Sequence, residues 1–255
     1  TFQKEARAMV VTTKVVTEPD EVPRAAVEGK PTVVYWDICG LAQPIRFAAV
    51  LCEVDFVDVR IDAGSAGSDA YKKVWMTAKE EIVKDVPFAN LPYYATPGGP
   101  MIVQSNAILR ELARQFPEKL ATNARVDQAL DQATDLDNAI TGGSYRDFRK
   151  LKEFDFAGRL EKWAAFLGES PFLGGDVVSI ADCKFYEILR KVKLILATSI
   201  SDDGALSTAA TSPDVVSPTL AAYAARFEAL PAIAAYLASP AFKPRPVNNP
   251  HAQFK

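Results

Sequence analysis

Residues 31–62 read PTVVYWDICGLAQPIRFAAVLCEVDFVDVRID, and this stretch decides the fold because it carries the pattern of a strand, a helix and a second strand. The first five residues form a short β-branched run that is typical of a buried strand. Residues 41–54 have apolar side chains at helical spacing, and Pro44 falls in the first turn, where a helix tolerates it. Residues 55–62 alternate like a strand. The sequence therefore predicts a βαβ unit with parallel neighbouring strands.

A hairpin and a helix are predicted next along the chain. Residues 63–85 are polar and rich in small side chains, which favours a loop with a short helix at most. Residues 89–104, ANLPYYATPGGPMIVQ, predict two antiparallel strands joined by a Pro-Gly-Gly turn. Residues 105–116 have helical spacing, and Ser105 is the candidate N-cap. This order of elements is typical of a thioredoxin-like layer.

From about residue 117 the pattern changes to amphipathic helices, and no convincing strand pattern follows. We therefore predict an N-terminal thioredoxin-like α/β domain followed by an all-helical C-terminal domain. The predicted divisions are an N-terminal extension lying against the main body (1–30), the α/β domain (31–116), the all-helical domain (123–249) and a tail (250–255). Residues 199–218 predict a loop between two helices.

Charge and histidine content exclude several classes of function. Lys and Arg number 29 against 32 Asp and Glu, so the net charge of −3 argues against a nucleic-acid partner. The single histidine, His251, lies in a Pro-rich stretch, whereas Ser-His-Asp, Cys-His and HExxH sites need an internal histidine. No run of about eighteen apolar residues exists, so we expect no transmembrane helix.

Cysteine usage bears on the compartment. Cys39, Cys52 and Cys183 are odd in number and widely spaced, which is typical of reduced thiols inside a cell. Residues 1–30 carry no apolar segment of a secretory signal, so we expect a cytoplasmic protein. Because the sequence begins with Thr1, a processed precursor in an organelle lumen stays an open alternative.

Five motifs resemble one enzyme family. YWDICGLAQPIR (35–46), VPFANLPYY (86–94) and QSNAILRELARQF (104–116) resemble the N-terminal domain of cytosolic glutathione transferases, most closely the mu class, with sigma and alpha related. FLGESPFLGGDVVSIADCKFYEIL (166–189) and RFEALPAIAAYLASPAFKPRPVNN (226–249) resemble the helical domain and tail of that family. The resemblance implies glutathione as co-substrate, a hydrophobic electrophile as second substrate, a homodimer and no metal.

Tyr35, at the end of the first strand, is the catalytic residue that the resemblance implies. In the family a tyrosine at this position donates its hydroxyl to the glutathione sulfur. A free thiol has a pKa of about 8.5, and a hydrogen bond to the anionic form favours ionisation. The alternative is that Tyr35 is simply a half-buried aromatic residue that ends a strand.

The glutathione-binding positions implied by the resemblance are Trp36, Lys72, Trp75, Lys79, Asn90, Leu91, Pro92, Gln104, Ser105 and Asp135. Pro92 matches a cis proline that exposes backbone groups to the cysteinyl part of glutathione. Gln104 and Ser105 begin a helix, whose free N–H groups and dipole suit the γ-glutamyl carboxylate. The alternatives are an ordinary turn proline and a simple helix cap.

The remaining positions are expected at the two ends of the tripeptide. Trp75, Lys79 and Lys72 match positions that hold the glycine carboxylate, although a solvated lysine face is an alternative for Lys72. Asp135 matches an acidic residue that reaches the glutamyl amine across a subunit interface, but its helical repeat of aspartates also fits a polar face. Tyr145 falls where the mu class lines the electrophile pocket.

Two further features need separate interpretations. Ser179 and Asp182 predict a capping box, which is a folding element and not a site. Cys39 replaces the arginine of the mu-like motif, either neutrally or as a thiol able to form a mixed disulfide with glutathione. We expect a glutathione transferase of the detoxifying type. The alternatives are a non-catalytic, glutathione-transferase-like subunit or scaffold of a larger assembly, and a sigma-like glutathione-dependent isomerase.

Overall fold

A five-stranded sheet forms the N-terminal part of the protein. The computed structural model describes residues 9–202, 205–209 and 217–255. The strands are β1 (Val11–Val16), β2 (Thr32–Trp36), β3 (Phe56–Ile61), β4 (Tyr93–Ala95) and β5 (Ile102–Val103), and they lie in the order β1-β3-β2-β4-β5. The second and third strands are buried along their whole length, which explains their continuous apolar and β-branched character.

The predicted βαβ unit is confirmed. β2 and β3 are parallel, with Val34 paired with Val59, and α1 (Gln43–Leu51) connects them. Pro44 lies in the first turn of this helix, as predicted. Every residue of α1 is buried, because the helix packs against another helix of this half, Ser105–Gln115, and against two helices of the C-terminal half.

The predicted hairpin is also confirmed, since β4 and β5 are antiparallel. The prediction that Ser105 is the N-cap of the following helix, α3 (Ser105–Gln115), is wrong. Ser105 is its first helical residue, and Gln104 occupies the cap position with φ of +73° and no side-chain cap hydrogen bond. In the segment predicted as mostly loop, α2 (Lys73–Ile82) extends over 10 residues, because Trp75, Ala78 and Ile82 give it one buried face.

Residues 11–16 form a strand that the sequence analysis did not predict. β1 runs parallel to β3 at the edge of the sheet, and the amide of Asp62 donates to the carbonyl of Val16 at 2.9 Å. Val16 is buried whereas Val15 is 56% exposed, so the apolar pattern of this edge strand is weak. Residues 1–8 of the predicted extension lie outside the described residues.

The described part of the C-terminal half contains six helices: α4 (Ala124–Arg146), α5 (Phe148–Lys152), α6 (Phe156–Leu167), α7 (Ile180–Ala197), α8 (Pro218–Glu228) and α9 (Pro231–Leu237). Helix α7 is central and packs against α1 and α4. The predicted capping box at its start is confirmed, since a carboxylate oxygen of Asp182 accepts the amide of Ser179 at 2.8 Å.

The segment predicted as a loop after α7 contains a small hairpin instead. Strands β6 (Thr198–Ile200) and β7 (Leu206–Thr208) pair in antiparallel fashion, and residues 203–204 and 210–216 lie outside the described part. Three-residue strands are too short to give a recognisable alternation. The sheet ends at Val103 and α4 begins at Ala124, but the domain boundaries stay a prediction. Among the described helices, none has the length and apolarity to span a bilayer.

Candidate active site

Tyr35 lies near the end of β2 with 7% of its surface exposed. The following loop turns tightly around its ring, and a Cβ at Gly40 would stand 2.7 Å from the Tyr35 oxygen. Burial raises the pKa of Tyr35 to about 12, although a backbone hydrogen bond from Leu41 opposes this rise. The hydroxyl therefore keeps its proton near neutral pH and is available as a hydrogen-bond donor.

The sheet register aligns three of the predicted site residues. Val34 pairs with Tyr93 and Tyr93 pairs with Val103, both in antiparallel fashion. Tyr35, Pro92 and Gln104 are the next residues beyond these pairs, all at the same end of the sheet. The Leu91–Pro92 peptide bond is cis. Three positions far apart in the chain thus form one row across the end of the sheet.

A buried charge network holds the loop after Tyr35. Arg46 and Arg60 both bind the carboxylate of Asp58, with Nε to oxygen distances of 3.0 and 2.7 Å. Arg46 also donates to the carbonyl of Ile38 at 2.9 Å. All three charged side chains are buried. Sequence reasoning missed this network, because DFVDVRID predicts only an alternating strand and gives no sign that Asp58 and Arg60 point inward.

The C-terminal segment, residues 243–254, closes one side of the site. The amides of Cys39 and Gly40 donate to the carbonyls of Pro246 and Val247 at 2.9 and 3.1 Å. The amide of Asn249 donates to the hydroxyl of Tyr145 on α4 at 3.0 Å. This segment therefore joins the Tyr35 loop to the helical half, a role that its Pro-rich sequence does not indicate.

Comparison with known proteins identifies the family. A family model described as "Glutathione S-transferase, C-terminal domain" matches residues 144–240. Over 234 residues the chain is 30% identical to Glutathione S-transferase Mu 3 of Homo sapiens, covering 89% of this chain and 96% of that protein. The chain belongs to the glutathione S-transferase family. It is a mu-like member, and glutathione is the co-substrate of this transferase family.

A further relative belongs to the same family, and a solved structure has the same fold. The transferase is 30% identical to the Glutathione S-transferase of Tyrophagus putrescentiae over 89% of its own length and 98% of that protein. It also resembles the solved Pi-class Glutathione S-transferase of Onchocerca volvulus, with a TM-score of 0.67, 24% identity, and coverage of 88% of this chain and 99% of that one. That second likeness shows the fold, which is the predicted thioredoxin-like and all-helical combination.

The positions predicted for the glycine end of glutathione lie on and before α2 of the transferase. Trp75 is 3% exposed, and its ring lies 6.1 Å from that of Tyr93. Lys72 precedes α2 with φ of +60°, and Lys79 is half-buried in its last turn. Trp36, which ends β2, is buried as well. The deep burial of Trp75 shows a packing role, and its role toward glutathione stays a prediction.

The γ-glutamyl end is predicted at α3 and α4. Ser105 opens α3, while Gln104 is exposed just before it. Away from this end, Leu91 of the predicted cysteinyl contact is buried, and its amide donates to the side-chain oxygen of Asn90 at 3.0 Å. On α4, Asp135 is exposed. A carboxylate that contacts glutathione bound to a second subunit must be accessible, and Asp135 meets this requirement. The solvated polar face of an ordinary helix would be exposed in the same way.

Cys39 is 1% exposed, and its thiol donates to the carbonyl of Lys243 at 3.2 Å. Burial raises the pKa of this thiol to about 11, with Glu187 adding to the rise. A thiol that is buried and protonated is a poor nucleophile. This favours the neutral interpretation of the Cys39 replacement over a mixed disulfide with glutathione. Within the described residues, no cluster of three potential metal-ligating side chains occurs.

Proposed function

We propose that Tyr35 donates its hydroxyl to the sulfur of bound glutathione and thereby stabilises the thiolate. The observation that carries this proposal is the row formed by Tyr35, Pro92 and Gln104 across the sheet. The pKa of about 12 supports it as well, since Tyr35 remains a donor at any pH where glutathione ionises. Lowering the thiol pKa by about two units needs roughly 2.7 kcal/mol of preferential stabilisation of the anion.

The chemistry that follows is nucleophilic attack by sulfur on an electrophile. The thiol proton leaves to solvent, the sulfur lone pair forms a carbon–sulfur bond, and the displaced pair departs with a leaving group or moves to an acceptor oxygen. Holding both reactants in register supplies the proximity contribution. Tyr145 and the C-terminal segment, which meet at Asn249, form the wall against which we place a hydrophobic electrophile.

Glutathione would lie along the row with its γ-glutamyl carboxylate at the start of α3. Gln104 and Ser105 present that helix end, where free amides and the dipole attract an anion. The backbone of Leu91 and Pro92 would pair with the cysteinyl part. The other proposed contacts are Trp36, Lys72, Trp75, Lys79 and Asn90 toward the glycine end, and Asp135 from a second subunit.

A symmetric homodimer fits two surfaces of this chain. Phe88, four residues before the cis proline, is 80% exposed, the highest value among the large apolar side chains of the described residues. A groove of about 300 Å³ lies between α4 and α6 and has Leu136, Trp163 and Phe166 among its lining residues. We assign Phe88 of a second copy to this groove, because a two-fold axis would use both surfaces twice. A cytoplasmic location also stays our proposal, and the comparisons give an organelle lumen no support.

Ultraviolet absorbance of the thiolate tests the proposal without knowledge of the electrophile. Purified protein mixed with glutathione should show a thiolate band near neutral pH, and Tyr35→Phe should remove it. Tyr94→Phe is a matched control, because the Tyr94 hydroxyl lies buried in the same sheet without a hydrogen-bond partner among the described residues. A wild-type protein that retains glutathione on an affinity resin but shows no band would overturn the role of Tyr35. A folded protein that neither binds glutathione nor shows a band would favour the scaffold.

A further inference from the structure

The described part of the N-terminal extension crosses the sheet and packs against α2. β1 and β2 are parallel and lie on opposite sides of β3, so residues 17–31, the crossover segment, must cross β3 to join them. Within this segment Pro19–Glu21 form a short 3₁₀ turn, and the Glu21 carboxylate accepts the two backbone amides that lead into it. The turn contacts α2, and Val22, which follows it, is buried. The crossover segment is therefore an ordered part of the fold.

A buried hydroxyl connects the crossover segment to the body of α2. The hydroxyl of Tyr93 on β4 donates to the carbonyl of Pro23, and the Tyr93 ring packs against that of Trp75 on α2. Both aromatic side chains are buried. Arg24 also approaches the carboxylate of Glu81 on α2 at 4.0 Å, but this pair is exposed and contributes little. The contact that holds the crossover segment against the buried face of α2 is thus the one through Tyr93.

Backbone hydrogen bonds extend the support of β1 to the residue that precedes α2. The amide of Asp62, just after β3, donates to the carbonyl of Val16 at the end of β1. The carbonyl of the next residue, Ala63, accepts the amide of Lys72 at 2.7 Å. Lys72 has a positive φ, a conformation that persists for such a residue only where the surrounding structure holds it. The N-terminal extension thus supports both the start of α2 and its buried face.

We propose that the N-terminal extension holds α2 in place for the glycine end of glutathione, with Val22 and Tyr93 as positioning residues. This inference rests on the proposed function, in which Lys72, Trp75 and Lys79 are among the contacts to that end. Side chains that must be ordered when a ligand binds cost free energy, so contacts that are already in place bind more tightly. Because the extension holds α2 at two places, this helix has less freedom to lose when glutathione binds.

The test compares, by titration calorimetry, the binding of glutathione with that of γ-glutamylcysteine, which lacks the glycine. Tyr93→Phe removes only the hydroxyl that binds Pro23 and should raise the Kd of glutathione about threefold to fivefold, as expected for one hydrogen bond. The Kd of γ-glutamylcysteine should stay unchanged. In turnover, KM for glutathione should rise at constant kcat, whereas a merely structural role would lower only the free energy of unfolding. Tyr94→Phe, which removes a buried hydroxyl without a hydrogen-bond partner among the described residues, should change neither Kd.

A second variant keeps the test decisive if Tyr93→Phe fails to fold. Val22→Ala shortens a buried side chain of the crossover segment and should also weaken glutathione alone. Val178→Ala makes the same change at a similarly buried valine before α7 and should not alter either Kd. Equal changes for both ligands, or no change in either variant, would overturn the inference. A wild type that binds glutathione no more tightly than γ-glutamylcysteine would instead refute the proposed contacts to the glycine end, so the two failures are distinguishable.

Discussion

Gly40 packs directly against the ring of Tyr35, and a Cβ at this glycine would fall 2.5 Å from the Tyr35 Cε1 atom and 2.7 Å from its oxygen. Gly40 also has φ of +45°, a conformation that other residues rarely adopt. Gly40 thus meets two separate requirements: it permits the backbone turn after β2, and it leaves the space that the Tyr35 ring occupies.

Gly40→Ala should therefore reduce both stability and glutathione activation. The positive φ should cost about 1–2 kcal/mol of unfolding free energy, and the clash should displace the Tyr35 hydroxyl and weaken the thiolate band. Gly98→Ala is the matched control, since Gly98 has φ of +72° and a Cβ added there would meet nothing within 4 Å. Urea unfolding should show a loss in both variants, with the thiolate band intact in Gly98→Ala. An intact band in Gly40→Ala would contradict this account.

Tyr145→Phe should slow the reaction with an electrophile and leave the activation of glutathione unchanged. The change removes the oxygen that accepts the Asn249 amide, so the C-terminal segment should lose its anchor on α4. We expect kcat/KM for an electrophile to fall by roughly fivefold, the equivalent of about 1 kcal/mol for one hydrogen bond. The thiolate titration should stay at its wild-type midpoint. A shifted midpoint would place Tyr145 with Tyr35 and not with the electrophile.

Phe88→Ser should weaken self-association. An exposed aromatic side chain that enters an apolar groove has the character of an interface hot spot, so its loss should raise the dimer dissociation constant at least about tenfold. Val177→Ser is the control, because Val177 is also apolar and 48% exposed. Sedimentation velocity over a concentration series measures both. Equal association in Phe88→Ser and the wild type would remove Phe88 from the interface.

Ser179→Ala should lower the free energy of unfolding without changing the predicted glutathione site. Ser179 is fully buried, caps α7 and donates its hydroxyl to Asp182 at 2.6 Å, so its loss should cost about 2 kcal/mol. Ser217 caps α8 through a hydrogen bond of 3.4 Å, the same length as the cap bond of Ser179, but Ser217 is only half-buried, so Ser217→Ala should cost about 0.5 kcal/mol. Denaturant unfolding measures the difference. Equal losses would mean that the Asp182 network does not depend on the Ser179 hydroxyl.

The sequence predicts the elements whose pattern is local. β2 and β3 are recognisable because their residues are buried on both faces, and the capping box of Ser179 and Asp182 has a fixed spacing of three residues. The resemblance supplied the candidate site residues, including Tyr35 and Pro92. The structure adds only that sheet register brings them into one row.

The features that the sequence did not predict depend on distant partners. In the sequence, Asp58 and Arg60 look like ordinary strand residues. Their role becomes visible only in the fold, where Asp58 binds both Arg60 and Arg46, which lies on α1. The apolar pattern of β1 is weak, because β1 is an edge strand that is held by its pairing with β3. Likewise, nothing in the residues around Asn249 indicates that its amide binds Tyr145. Such contacts follow from the assembled fold and not from periodicity.

The C-terminal segment has a consequence for how the protein is made. The thiol of Cys39 donates a hydrogen bond to the carbonyl of Lys243, which follows it by 204 residues in the chain. At a synthesis rate of about 5–20 residues per second, the Tyr35 loop waits roughly 10–40 s for the segment that closes it. The βαβ unit can form during translation, but the contacts of this segment with Gly40 and Tyr145 can form only after residue 249 has left the ribosome.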